Sequence, residues 1–188
     1  MLKRALIFLA VLALTGAAAA QNSRLTIFGG YAYGNTNYAP GPRSNLHGWE
    51  ATIEGFRLKK WLTLVADGSA QYGWNEFPIS CVTFPVCTPA VPNVRAKEYN
   101  FLGGPQVSIF RGSFRPFAHV LGGATRVNVA TSGFFDSSTA WAVAGGGGVD
   151  YLWHGPFGWR LQADYLRTNV FGLHQNMVRA STGVVIRF

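Results

Sequence analysis

Most of this chain alternates apolar and polar side chains residue by residue, and after the first twenty residues no 3.6-residue period competes with that alternation. An extended strand turns successive side chains to opposite faces, so period two predicts sheet with one apolar and one polar face. In Gly48 to Phe56, Trp49, Ala51 and Ile53 alternate with Glu50, Thr52 and Glu54. In Trp61 to Tyr72, Leu62, Leu64, Ala66, Ala70 and Tyr72 stand against Thr63, Asp67, Ser69 and Gln71. Trp159 to Thr168 sets Trp159, Leu161, Ala163 and Tyr165 against Arg160, Gln162 and Asp164. The last segment sets Ala180, Thr182, Val184, Ile186 and Phe188 against Arg179, Ser181, Gly183, Val185 and Arg187. Arg24 to Tyr33, Glu98 to Ser108, Pro116 to Arg126 and Thr139 to Tyr151 follow the rule less regularly, making eight strands in all.

The connections between these segments run to about 14, 4, 25, 7, 12, 7 and 8 residues in order, within the usual error on strand ends. Apart from the last, long and short alternate, as in an up-and-down meander with its long loops at one end and tight turns at the other. Strands averaging about 11 residues cross a hydrocarbon core when tilted. Gly145 to Gly148 lies within a strand segment, where small residues let a neighbour approach. It is no phosphate cradle, because no GK[ST] follows.

At 48% hydrophobic and 13% charged, the chain is too apolar for disorder. Twenty-three Gly with only two Met and two Cys argue against a helical bundle or a disulfide-rich miniprotein. Beyond residue 20 no uncharged apolar stretch reaches the roughly 18 residues of a spanning helix. The start is different. Met1 to Arg4 is cationic, Ala5 to Leu14 is an unbroken apolar run, and Ala17 to Ala20 are small. This predicts a secretory signal peptide, residues 1–20, cut before Gln21, with 21–188 as one barrel domain. No Cys stands at the cut to take lipid. In an oxidising compartment Cys81 and Cys87 are close enough in sequence to pair, closing a loop worth about 2 kcal/mol in the chain-entropy model.

Alternation alone does not separate a soluble barrel from a membrane barrel, so the charges decide. Six of the eight acids (Glu50, Glu54, Asp67, Glu98, Asp150 and Asp164) fall on polar strand faces. With Arg160, Arg179 and Arg187 they are expected to form an internal ion-pair network. Trp49, Tyr72, Tyr99 and Trp141 lie at the long-loop ends, and Trp61, Tyr151 and Trp159 at the short-turn ends, giving the two aromatic girdles of a membrane barrel.

Ser181, Gly183, Ile186 and Phe188 fit a polar-x-Gly-x-x-apolar-x-apolar ending closed by an aromatic residue. This resembles the signal read by the outer-membrane barrel assembly machinery, and the whole of 21–188 resembles the small eight-stranded outer-membrane barrels of the OmpA and OmpX type, within the broad family of outer membrane protein beta-barrel domains. The resemblance rests on architecture and the terminal motif. It implies an all-β, eight-stranded antiparallel up-and-down transmembrane β-barrel, monomeric and without cofactor, in the outer membrane of a diderm bacterium. Unlike full-length OmpA the sequence stops at the barrel's terminal Phe188, so wall anchoring is not expected.

Eight strands enclose a lumen that side chains fill, so a water-filled pore is not expected. The pI near 9.9 raises nucleic-acid binding, but without the signal the excess is 14 minus 8, or +6. Arg57, Lys59 and Lys60 share one short turn and Arg111 and Arg115 another, where they are expected to be solvated. Arg43, Arg95, Lys97 and Arg126 lie near the outer end, where lipopolysaccharide phosphates are natural partners. Some eight-stranded barrels modify lipid A with a His, a Ser and an acid. His47, Asp136, Ser137 and Ser138 are predicted in loops, without diagnostic spacing, so catalysis is the minority reading. His47, His119, His154 and His174 make no ligand pair at useful spacing, and an isolated polar His is the expectation for each. The predicted loop from Gly73 to Lys97 holds four Pro, both Cys and apolar residues such as Phe77, Phe84 and Val91. It either docks on a surface partner or folds over the mouth as a plug.

Overall fold

The computed structural model describes residues 25–37, 43–76, 93–131, 134–153, 155–172 and 174–188. Eight strands follow one another: β1 Thr26–Asn37, β2 Arg43–Lys59, β3 Leu62–Glu76, β4 Asn93–Ser108, β5 Phe114–Thr131, β6 Phe134–Leu152, β7 Phe157–Thr168 and β8 Gln175–Arg187. Each pairs antiparallel with the next, and β8 returns to β1 from Thr26↔Arg187 to Thr36↔Met177, so the sheet closes. No α-helix occurs among the described residues; Val170–Gly172 makes a single 3₁₀ turn.

The register sets the dimensions. From Arg115, partners run through Asp150, Arg160, Gly183, Gly30, Glu50, Ser69 and Asn100 to Thr125. One circuit therefore returns to β5 ten residues on, from 115 to 125. For eight strands that shear gives a tilt of about 40° and a backbone radius of about 8 Å. Long side chains from opposite walls then meet on the axis, and Arg160, Arg179, Leu46, Leu121 and Leu166 are fully shielded from solvent.

Gly30 and Gly183, partners at the seam, show why small residues stand there. A Cβ on Gly30 would lie 2.3 Å from the Thr182 carbonyl oxygen. Gly112, at φ 60°, turns the chain between β4 and β5.

The outward face is the apolar one. Along β7, Phe157, Trp159, Leu161, Ala163 and Tyr165 point away from the barrel before Arg167 ends the run. The ten residues from Phe157 to Leu166 rise about 25 Å at this tilt, the height of an outer-membrane hydrocarbon belt. Trp49 and Trp141 at one end and Trp61, Tyr151 and Trp159 at the other are exposed on the same face. Water-soluble monomers rarely expose a contiguous apolar patch of more than a few hundred Å², and a band of this width marks a surface that meets an apolar partner or a membrane.

The strand ends correct the predicted loops. Most strands run four or five residues further toward the outer end than the alternation does, from Tyr33 to Asn37 in β1 and from Thr139 back to Phe134 in β6. The outer connections shrink to 38–42, 77–92, 132–133 and 169–174, against 60–61, 109–113 and 153–156 opposite. Only 77–92 is long, so the expected alternation of long and short connections is absent. Gly73 to Glu76 pairs with Ala96 to Asn93, taking both ends of the predicted second loop into a hairpin. Pairing of β2 with β3 stops at His47↔Tyr72, and pairing of β6 with β7 starts only at Ala142↔Thr168. Strands β3 to β6 therefore continue outward as a four-stranded sheet. With both faces wetted there, the apolar period has no reason to persist.

Candidate functional site

Inside, the polar strand faces build two charged clusters. Nearer the short turns, Arg115 reaches Glu54 through Nη1–Oε2 at 2.8 Å and Nη2–Oε1 at 3.0 Å, and Asp150 through Nε–Oδ2 at 2.8 Å. Arg160 donates to Asp150 Oδ1 at 2.6 Å, Glu54 Oε1 at 2.5 Å and Thr52 Oγ1 at 3.1 Å. Its guanidinium carbon stands 4.4 Å from the Phe117 ring centre and 5.0 Å from that of Phe28, so aromatic rings cover the part the acids do not. Two Arg and two acids balance.

Further out, Arg179 holds Asp67 at 3.0 Å, Asp164 at 2.7 Å and Glu50 at 3.2 Å. Gln162 Nε2 donates to Glu50 and Asp164 at 2.8 Å each, and Ser181 donates to Glu50. His119 Nε2 lies 2.8 Å from Asp164 Oδ1, although Asp164 is on β7 and His119 on β5. The residue between them on β6 is Gly146, and a Cβ there would fall 2.0 Å from Asp164 Oδ1. The glycine is what lets the contact cross a strand. Just outward, Leu121, Ala144, Leu166 and Met177 form a buried apolar row over the charges.

Two sequence expectations are corrected here. Arg115, expected with Arg111 at a solvated turn, is instead buried: strand alternation starts at Phe114, which points out, so Arg115 points in. His119 is no isolated polar His but a partner of Asp164. Arg187 stands at the rim, 4.9 Å from the Phe110 ring centre. Glu98 accepts from Asn100 at 3.2 Å. Ser181 and Gly183 lie on the lumen face, Ile186 is half-buried on the outer one, and exposed Phe188 donates its N–H to the Leu25 carbonyl at 2.8 Å. Cys81, Cys87, His154 and the apolar residues predicted for the second loop lie outside the described residues.

The predicted loop residues are corrected as well: His47 is on β2, and Asp136, Ser137 and Ser138 are on β6. The outward row through His47 runs to Tyr72, Lys97, Asn128 and only then Ser137, so three strands separate that His from that Ser. His47 shares a hydrogen bond with the Tyr31 hydroxyl instead. No group of His, Cys, Asp and Glu able to hold a metal occurs among the described residues.

Outside, at the outer end, three of the four predicted basic residues gather. Arg95 and Lys97 on β4 and Arg126 on β5 share the outward face, with Tyr99 directly paired to Arg126. Below them lie Phe101 and Trp141, and Tyr72 meets Tyr99 edge-to-face at 6.3 Å. Arg126 Nε contacts Asn128 Oδ1 at 3.4 Å. A hollow of about 260 Å³ is lined by Arg95, Lys97, Tyr99, Asn128, Ala130 and Phe135. That is below the roughly 300–1,000 Å³ of small-molecule pockets. Arg43 does not join them. It stands on β2, donating to Asn35 at 2.6 Å in a polar ladder with Asn45 and Tyr33. Since six of the eight acids are turned inward, the outer surface is left basic.

No family model matches this chain. No curated protein matches it either. Solved structures do. Neisserial surface protein A superposes with a TM-score of 0.67 at 12% identity, over 87% of this chain and 97% of that one. Ail, the attachment invasion locus protein of Yersinia pestis, superposes at 0.58 and 17% identity, over 88% and 99%. A second Ail structure, in complex with the heparin analogue sucrose octasulfate, gives 0.57 at 17% identity, over 88% and 99%. The fold is that of the small eight-stranded outer-membrane barrels.

Proposed function

We propose that this barrel, sharing its fold with the small outer-membrane proteins, spans the outer membrane of a diderm bacterium as a monomer and catalyses no reaction. It works through its outer end, where the strip formed by Arg95, Lys97 and Arg126 holds lipopolysaccharide phosphates. The observation that carries this reading is the position of that strip: Lys97 and Arg126 stand on the barrel's outward face, immediately beyond Tyr72, Tyr99 and Trp141. Aromatic rings of this kind mark the headgroup level, so cations one step outward meet phosphates. The filled lumen argues for a structural barrel and against a conduit. The complex of Ail with sucrose octasulfate lends the reading support by analogy, since that protein was crystallised with a sulfated sugar. Residues 1–20 are the export signal, the ending at Ser181, Gly183, Ile186 and Phe188 is read by the assembly machinery, and a Cys81–Cys87 disulfide braces a surface loop that docks on a partner or covers the mouth.

The test is binding of purified lipopolysaccharide to the folded barrel in detergent. Lys97→Gln with Arg126→Gln is expected to weaken it about thirtyfold, from about 1 kcal/mol per cation. Unchanged affinity would refute the site. The alternative, a lipid A modifying enzyme, predicts a changed lipid A mass in cells that carry the protein, and this reading predicts none.

A further inference from the structure

The rim at the short-turn end is also basic, and for the same reason. Six acids are in the lumen, and the other two, Glu76 and Asp136, belong to the outer ends of β3 and β6. Arg57, Lys59, Lys60 and Arg111 thus share the short-turn rim with no acidic side chain. The backbone shapes this rim. Outward residues of β2 are odd-numbered from Trp49 to Ile53, but register shifts between Glu54 and Arg57 and between Arg57 and Lys59 reverse the order. Phe56 and Leu58 emerge as the outward side chains, both well exposed, with cations alternating between them. Lys59 lies along the wall, its Nζ 5.6 Å from the Trp61 ring centre. Arg57 turns inward between Phe56 and Leu58, and its guanidinium carbon is 6.0 Å from the Phe110 ring centre at the mouth, which Arg115 approaches from the lumen at 5.7 Å.

Solvated turn residues would need none of this. Exposed Phe56, Leu58 and Trp61 suit the edge of a hydrocarbon layer, and an ammonium group held against such a ring suits the phosphates just beyond it. We infer that this rim is a binding surface for anionic phospholipid headgroups of the leaflet it enters, preferring phosphatidylglycerol-type phosphate to a zwitterionic headgroup. A lipid is favoured over an acidic protein segment because the cations are interleaved with lipid-facing apolar side chains instead of projecting beyond them. The inference rests on the barrel spanning a membrane, and that premise is read separately in the test.

The full mature barrel is reconstituted into phosphatidylcholine vesicles containing spin-labelled phosphatidylglycerol or phosphatidylcholine, and its insertion is checked by the mobility shift on boiling. The barrel is expected to prefer the anionic lipid by about fivefold, the size of one cation near a charged surface. Arg57→Gln with Lys59→Gln and Lys60→Gln removes most of that preference, whereas Lys97→Gln with Arg126→Gln leaves the larger part. Should the triple variant not fold, Lys59→Gln with Lys60→Gln at the exposed turn serves in its place. An inserted barrel without anionic preference, or one whose preference survives in the short-turn variant, overturns the inference and leaves the barrel standing. A chain that does not insert overturns both. An acidic periplasmic peptide that binds the rim while the lipid preference is absent would assign it to a protein partner instead.

Discussion

Replacing Arg160 by Met removes one of the two cations in the inner cluster while keeping a side chain of similar length between the Phe28 and Phe117 rings. Arg160 makes contacts of 2.6 and 3.0 Å to Asp150, 2.5 Å to Glu54 and 3.1 Å to Thr52, and none of its surface reaches solvent. In its absence Glu54 and Asp150 share Arg115 alone, and one buried negative charge has no counter-charge. Breaking a buried pair from one side costs about 3 to 5 kcal/mol. With a urea slope of about 2 kcal/mol/M, the unfolding midpoint falls by about 1.5 to 2.5 M. Tryptophan fluorescence of the barrel in lipid vesicles reads this directly. Adding Glu54→Gln to Arg160→Met restores the balance of one acid to one Arg, and is expected to recover about 1 kcal/mol or more through the coupling of the two sites. An Arg160→Met midpoint within about 0.25 M of the original would refute the ionic account of the lumen.

Neighbouring glycines on opposite faces of β6 make a sharper comparison. Gly146→Ala puts a methyl 2.0 Å from Asp164 Oδ1 and is expected to cost about 1 to 3 kcal/mol, while Gly145→Ala, with nothing within 4 Å, is neutral; equal effects in the same unfolding assay would contradict the packing. Phe188→Ala, or deletion of Phe188, lowers the amount of barrel in the outer membrane, and undiminished levels on immunoblots would count against the terminal signal. Alkylation of the denatured, unreduced protein labels no thiol if Cys81 and Cys87 are paired, and two labelled thiols would remove that claim. Excising 77–92 leaves the boiling shift in place, because the segment lies beyond the paired strands.

Strand number and order were legible because each strand crossing the apolar layer must alternate. Trp159 to Tyr165 shows the pattern without a break, and β7 has its predicted outer end at Thr168. The strand that hid its chemistry was β5. Its lumen face carries Arg115, Phe117, His119 and Leu121 and its outer face Phe114, Pro116, Ala118 and Val120, so both faces hold apolar residues and the period blurs. The lumen needs Phe117 and Leu121 to fill volume above and below the charges. A charge count could have found Arg115, since six inward acids against two firmly placed Arg call for a third cation. His119 was less accessible, because its partner Asp164 is two strands away and only the glycine between them permits the contact. Beyond the membrane belt, Asp136 to Ser138 belong to β6 but show no alternation, since polar residues on both faces of a wetted sheet carry no period.

The claim on which the rest depends is that this apolar-faced closed sheet stands in a membrane. A closed barrel has every strand paired, and such sheets resist unfolding by detergent until heated. The direct measurement is electrophoresis of the native protein from washed outer membranes, boiled and unboiled. The account predicts that the protein stays with the membranes and migrates at two different apparent masses. Recovery in the soluble fraction, or one mobility irrespective of heating, would contradict it.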